Sequence, residues 1–253
     1  MRTLHAEWTK ARTLSSTAWL SLAVVVITMV VGAATTGSID HSGCVGCSFD
    51  ITKLAFTGVW FGQVAVVVLA GLSMTSEYST KMIQTSLLAN PRRAQLFAAK
   101  AAVITAIVLV AGAFAVLGSL VVARQVLDGI GLAAAPSLGD GPSLRAAAGT
   151  ALYLTLIALL TLGVAAVIRD TAVSIASVLG ILFALPIVAQ FVSDPQWSMW
   201  LSRLSPMTAG LSVQATRGLR TLPIGPWAGL GVLAAYAGVA LVVGGILFKV
   251  RDA

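Results

Sequence analysis

An all-α membrane protein with six transmembrane helices is the fold class this sequence predicts, on three observations. Hydrophobic residues make up 58% of the chain and charged residues 10%. The mean hydropathy of +0.95 lies outside the range of soluble globular domains. A spanning helix needs about 20 mostly apolar residues, and six runs reach that length, at residues 18–36, 54–74, 101–122, 146–168, 171–191 and 227–248. They consume most of the 253 residues, so the expectation is one transmembrane domain over 1–253 with no separate soluble domain.

The first apolar run begins near residue 18, behind a polar stretch, and is too long for the apolar core of a cleavable signal. In that polar stretch Leu4, Trp8 and Ala11 follow i, i+4, i+7 spacing, while His5, Thr9 and Arg12 face elsewhere. This pattern predicts an interfacial helix with Trp8 at headgroup depth, against the simpler alternative of a solvated tail.

An even number of spans places both termini on one side. If that side is the cytoplasm, ten basic residues lie inside (Arg2, Lys10, Arg12, Lys81, Arg92, Arg93, Lys100, Arg169, Lys249 and Arg251). Six lie outside (Lys53, Arg124, Arg145, Arg203, Arg217 and Arg220), as the positive-inside rule requires. Asp40, Asp50, Asp128, Asp140 and Asp194 all fall outside. The formal net charge of +7 is therefore a topology signal of a plasma-membrane protein and does not indicate nucleic-acid binding.

No Asp, Glu, Lys, Arg or His lies inside any of the six runs; Lys100 stands at the entrance of the third. A charge at mid-bilayer costs about 2.5–3.5 kcal/mol on insertion scales and is kept mainly for function. Its absence argues against an ion-coupled carrier and against an intramembrane acid–base enzyme. The sequence contains no Gly–Lys dipeptide, hence no G-x-x-x-x-G-K-[ST] phosphate loop, so no ATP-driven engine resides in these residues. The expectation is a non-enzymatic chain without a cofactor or metal of its own, either passive or powered by a separate protein.

Residues 75–100 form the longest connection on the basic side, TSEYSTKMIQTSLLANPRRAQLFAAK. Glu77 and Lys81 make an i, i+4 pair in the favourable order, and Tyr78/Met82 and Ile83/Leu87 are apolar pairs on other faces. Pro91 ends the helix, and Arg92, Arg93 and Lys100 anchor the following span. A rigid helix tied to two spans is suited to receive mechanical work. The alternative is a loop resting on lipid headgroups. With Glu77 placed outside the bilayer, Glu77→Lys is expected to leave insertion intact and to weaken docking or coupling to a partner.

Gly58 and Gly62 supply a G-x-x-x-G spacing that suits either a dimer face or packing within one subunit. Thr28, Gln63, Ser174, Ser177 and Gln190 are the polar groups placed to meet a solute, though each can instead satisfy a helix carbonyl. The mostly apolar lining points to a hydrophobic or amphipathic cargo. Pro186 predicts a kink in the fifth span. Between the fifth and sixth spans, Trp197, Trp200 or Leu201, and Leu204 line one helical face before Pro206. A second amphipathic piece is expected over 208–217, the pair being too polar to span yet apolar enough to enter one leaflet. Cys44 and Cys47 stand three apart in an outward-facing loop with His41, where an oxidising exterior predicts a disulfide, with free thiols or a metal site as the alternatives.

Taken together, the chain resembles the membrane subunits of ABC type-2 exporters, in particular the short actinobacterial permeases. The matching pieces are Glu7-Trp8-Thr9-Lys10-Ala11-Arg12 with Trp19, Ser76-Glu77-Tyr78-Ser79-Thr80, and Asn90-Pro91-Arg92-Arg93 with Ala98-Ala99-Lys100. The turn Ile168-Arg169-Asp170-Thr171 and the tail Lys249-Val250-Arg251-Asp252-Ala253 complete the match, which covers the whole chain. The resemblance implies a coupling helix between spans two and three that docks on a soluble ABC ATPase carrying ATP and Mg. Its contact set would be Glu77, Tyr78, Lys81, Met82, Leu87, Pro91, Arg92 and Arg93, with Arg169 and Asp170. It further implies pairing with a second copy or a related permease in membrane lipid, an export function, and an outer gate from the membrane-dipping segment. Lys81 departs from the glycine common in relatives. A non-transporting membrane scaffold or immunity protein is the alternative reading.

Overall fold

The computed structural model describes residues 2–38, 50–79, 93–129, 140–219 and 222–250. Its helices are α1 (Arg2–Thr13), α2 (Ser15–Gly37), α3 (Ile51–Ala55), α4 (Val59–Ser79), α5 (Arg93–Gly129) and α6 (Gly141–Ile168). They continue with α7 (Thr171–Phe191), α8 (Pro195–Leu204), α9 (Pro206–Leu211), a 3₁₀ turn (Ser212–Gln214) and α10 (Pro226–Val250). No strand occurs among the described residues. Six helices, α2, α4, α5, α6, α7 and α10, are long and apolar enough to cross a membrane. The chain is a multi-pass helical membrane protein.

The expected spans are present with two changes of boundary. The second run splits: α3 is capped by the Asp50 carboxylate, which accepts from the Lys53 amide at 3.2 Å, and the spanning helix begins only at Val59. The third extends at both ends to 37 residues, about 55 Å at 1.5 Å per residue. No proline interrupts Arg93–Gly129, and the flanks are rich in Ala, Leu, Gln and Arg, so helix formation continues where apolarity stops.

α6 occupies the centre, with 67% of its most apolar stretch buried, against 17–22% for α2, α7 and α10. Tyr153, Leu154, Ile157 and Leu162 on α6 are fully buried. Lipid tails are as apolar as leucine, so burial gives little drive for helices to associate within the bilayer, and close backbone approach matters more. At the α6–α10 crossing, a Cβ on Gly163 would stand 2.5 Å from the Ala240 carbonyl carbon, and one on Gly244 2.6 Å from the Gly163 oxygen. Gly58 and Gly62 do the same for α2, where a Cβ would lie 2.1 Å from the Thr28 carbonyl oxygen and 2.4 Å from its hydroxyl. That glycine pair is thus used within the subunit.

α6 ends at Arg169, whose φ of 63° places it in the left-handed region, and Asp170 immediately caps α7 by accepting from the Val173 amide at 2.9 Å. Pro186 lies inside α7 and is buried. Beyond α7, α8 presents Trp197, Trp200 and Leu204 outward. α9 and the 3₁₀ turn behave differently: Pro206, Met207, Ala209, Gly210, Leu211, Val213 and Gln214 are all buried. The second piece is therefore not an amphipathic surface helix over 208–217. It is a plug beginning at Pro206 and packed against α6 and α10, where its irregular backbone is sheltered by protein. Gly229 permits this approach, since a Cβ there would meet the Ala209 oxygen at 1.9 Å.

Candidate functional site: a buried charge cluster beneath the N-terminal helix

Glu7 and Lys10 lie three apart on α1 and therefore share a face. That face turns inward. Lys100 Nζ on α5 donates to Glu7 Oε2 at 3.1 Å, to Glu77 Oε1 on α4 at 2.8 Å and to the Ser73 carbonyl at 3.0 Å. Lys10 Nζ donates to the same Glu77 Oε1. The four charges thus alternate along the chain Glu7, Lys100, Glu77, Lys10 and sum to zero. Glu77 is 1% exposed and the Lys100 side chain 5%.

Withdrawing such charges from water costs several kcal/mol per ion unless every partner is in place. Lys100 meets that condition, since its three ammonium hydrogens have three acceptors. This overturns the expectation of Glu77 as a solvent-facing member of a Glu77–Lys81 stripe. Glu77 is buried, and α4 runs unbroken past Met74 to Ser79. The rest of the expected coupling set is reached in part. Arg169 sits over the Tyr78 ring at 5.2 Å from its centroid, a cation–π contact joining the α6–α7 turn to the end of α4. Thr171 and Thr75 hydroxyls meet at 2.7 Å in the same region. Arg93 opens α5. Lys81, Met82, Leu87, Pro91 and Arg92 lie outside the described residues, as do Cys44, Cys47 and His41.

On the outer side of α1, Leu4 and Trp8 are exposed and, with His5, line an apolar groove against Ala102, Val103 and Ala106 of α5. Ala11 faces a cavity and Arg12 is exposed. Glu7 and Lys10 turned inward, with Leu4 and Trp8 exposed beside the exposed His5 and Arg12, suit a helix lying at a membrane interface. The cavity, of about 240 Å³, lies between α1, α2, α4 and α5. Its polar wall includes Glu7, Lys10, Ser16, Thr17 and Lys100, and its apolar wall Leu20, Leu69, Leu72, Val103 and Ile104.

Of the five polar groups expected to meet a solute, Thr28, Ser174 and Gln63 make hydrogen bonds within the protein. Thr28 donates to the Val24 carbonyl at 2.6 Å, and Ser174 to the Asp170 carbonyl at 2.5 Å. Gln63 accepts from the Tyr153 hydroxyl at 2.5 Å and donates to the Met207 sulfur at 3.6 Å. Ser177 is half-buried on α7 and Gln190 is exposed near its end.

At the opposite end of the bundle, Asp50 gathers the Thr216 amide at 2.6 Å, the Thr216 hydroxyl at 2.7 Å and the Arg217 amide at 3.0 Å. Burial pushes its carboxyl up, but these bonds and the Lys53 amide outweigh that effect and hold it below the usual carboxylate range. Arg145 reinforces the clip through the Ala215 carbonyl at 2.7 Å. No group of three or more His, Cys, Asp or Glu suited to a metal occurs among the described residues.

Sequence reading did not find the charge cluster, although a signal was present. Glu7 and Lys10 on one face of α1, Glu77 just past one span and Lys100 just before the next carry opposite charges at one membrane level. Against this geometry, comparison with known proteins adds no relative: no family model matches the chain, and no curated protein matches it.

Proposed function

We propose that this chain is the membrane-spanning permease subunit of an ATP-binding cassette exporter. In this reading both termini are cytoplasmic, and the chain pairs with a second copy or a related permease. It moves a hydrophobic or amphipathic cargo, powered by a soluble ATPase subunit that holds ATP and Mg. The observation that supports this most is the buried cluster. Glu77 closes α4 and Lys100 lies in the second turn of α5, so the two helices flanking residues 80–92 are joined to each other and to α1. A displacement of that connection would move three helices as one unit, which is what transmission from a separate motor requires. Arg169 over Tyr78 extends the unit to the α6–α7 turn.

The decisive experiment is to ask whether a neighbouring gene encodes an ATPase with a phosphate loop and to reconstitute the purified chain with that ATPase. The chain alone is expected to hydrolyse no ATP, and the pair to show hydrolysis that the permease stimulates. An ATPase that neither binds the chain nor changes its rate on binding would favour the non-transporting scaffold. Orientation is tested separately with a membrane-impermeant maleimide. Cys44 and Cys47 should label in intact cells, after reduction if they are bonded; labelling only in permeabilised cells would invert the topology.

A further inference from the structure

We propose that the cavity between α1, α2, α4 and α5 is a seat for one membrane phospholipid with a net negative headgroup, bound by Lys10. The inference stands on the cavity and the cluster, and does not depend on the transport reading.

The lining is of two kinds. Glu7, Lys10, Ser16 and Thr17 supply charged and hydroxyl groups, and Leu20, Leu69, Leu72 and Ile104 supply apolar surface. A ligand matching both must carry a polar head on an alkyl chain. At about 240 Å³ the cavity is below the roughly 300–1,000 Å³ typical of drug-sized ligands, so it would take the headgroup and the first part of a chain, with the rest of the lipid lying in the bilayer.

The two lysines are not equivalent. Lys100 is 5% exposed and its three donors are all used, by Glu7, Glu77 and the Ser73 carbonyl. Lys10 is 31% exposed, and among the described residues its ammonium donates to Glu77, which leaves further donors for a phosphate oxygen. Arg12 stands exposed two residues further along α1. The Glu7, Lys100, Glu77 and Lys10 charges cancel, so the cluster does not repel an added anion, while α1 brings positive charge to the interface where anionic lipid concentrates. A phosphodiester beside Lys10 would also brace the cluster from its exposed side, fixing α1 to the bundle.

The test is native mass spectrometry of the full chain purified in mild detergent and exchanged against phosphatidylglycerol or phosphatidylcholine of identical chains. We expect a single phosphatidylglycerol adduct, retained about fivefold more than phosphatidylcholine, the factor set by one lysine at an anionic surface. Lys10→Gln should abolish that preference. Leu72→Trp, which fills the apolar wall and touches no ion pair, should remove the adduct for both lipids. Arg12→Gln should retain it. Circular dichroism and gel filtration confirm that each variant is folded. Equal retention of the two lipids by the native chain, or an adduct undiminished in a folded Leu72→Trp protein, overturns the proposal.

Discussion

At one end of the bundle α1, α4 and α5 meet through four charged side chains; at the other, a single carboxylate draws α3 onto the segment after the α9 plug. Both junctions hold sequence-distant parts together, Lys10 with Glu77 and Asp50 with Thr216. They differ in what happens when one member is lost. In the cluster each charge is the counter-ion of another, and Glu77 and Lys100 have no access to water as a substitute. Asp50 is half-buried, three of its four donors are backbone amides, and water can replace much of what it offers. Interdependence and burial, more than the number of bonds, determine how much each junction contributes.

The largest effect should come from Glu77→Lys, which sets a third ammonium against Lys10 and Lys100. Stranding buried charges costs about 3–5 kcal/mol. We therefore expect a sharply lower unfolding midpoint in detergent and reduced membrane yield, in place of the selective docking defect that an exposed Glu77 would give. Native-like stability in this variant would show that the cluster is wet and would remove the contrast between the two ends.

Next comes Gly163→Leu at the α6–α10 crossing. The added side chain meets backbone at 2.5 Å, so the helices must separate, at a cost of about 1–3 kcal/mol or more. Thermal unfolding of the purified variant measures it. Tyr153→Phe should cost less, about 1 kcal/mol. It leaves the Gln63 carbonyl without its donor, but hydrogen bonds between membrane helices are individually modest. Limited proteolysis of the chain after α8 would report whether the plug loosens, since Gln63 also holds Met207.

The smallest effect is that of acid on Asp50. Its folded-state carboxyl lies below the usual value, so its contribution is present above the unfolded carboxylate range near pH 4 and fades as pH falls through the lower folded value. With exposure taken into account this is under about 1 kcal/mol. The unfolding midpoint of the native chain should drop between pH 5 and pH 3 by more than that of Asp50→Asn. Parallel curves would mean that the clip does not titrate.

The six spans were readable because a bilayer demands about 20 apolar residues and no soluble alternative competes. The α1 helix was readable from the spacing of Leu4, Trp8 and Ala11. What escaped was pairing between elements. Residues 77 and 81 look adjacent on a helix, whereas the counter-ions of Glu77 are 67 residues before it and 23 after it, a distance no local pattern encodes. The plug was misread for a related reason. The run 208–217 carries enough Ser, Thr and Gln to suggest a surface, yet Thr208 and Ser212 donate to the nearby Ser202 and Ala209 carbonyls, and α6 and α10, which lie elsewhere in sequence, pack over the segment. Thr28 and Ser174 follow the helix-carbonyl alternative that the sequence left open, each donating four residues back, whereas the partners of Gln63 lie 90 and 144 residues away, beyond any local pattern.

The central place of α6 has a consequence for how the protein is made. Every residue of the charge cluster lies within the first 100, so that junction can close before α6 has left the ribosome. Gln63 must wait for Tyr153, 90 residues later, which at 5–20 residues per second is roughly 5–20 s with its amide facing lipid or the insertion machinery. The half-built intermediate would therefore be finished at one membrane face and open at the other. Quality control that detects unpaired polar groups in the bilayer would find its target on α4 until α6 arrives.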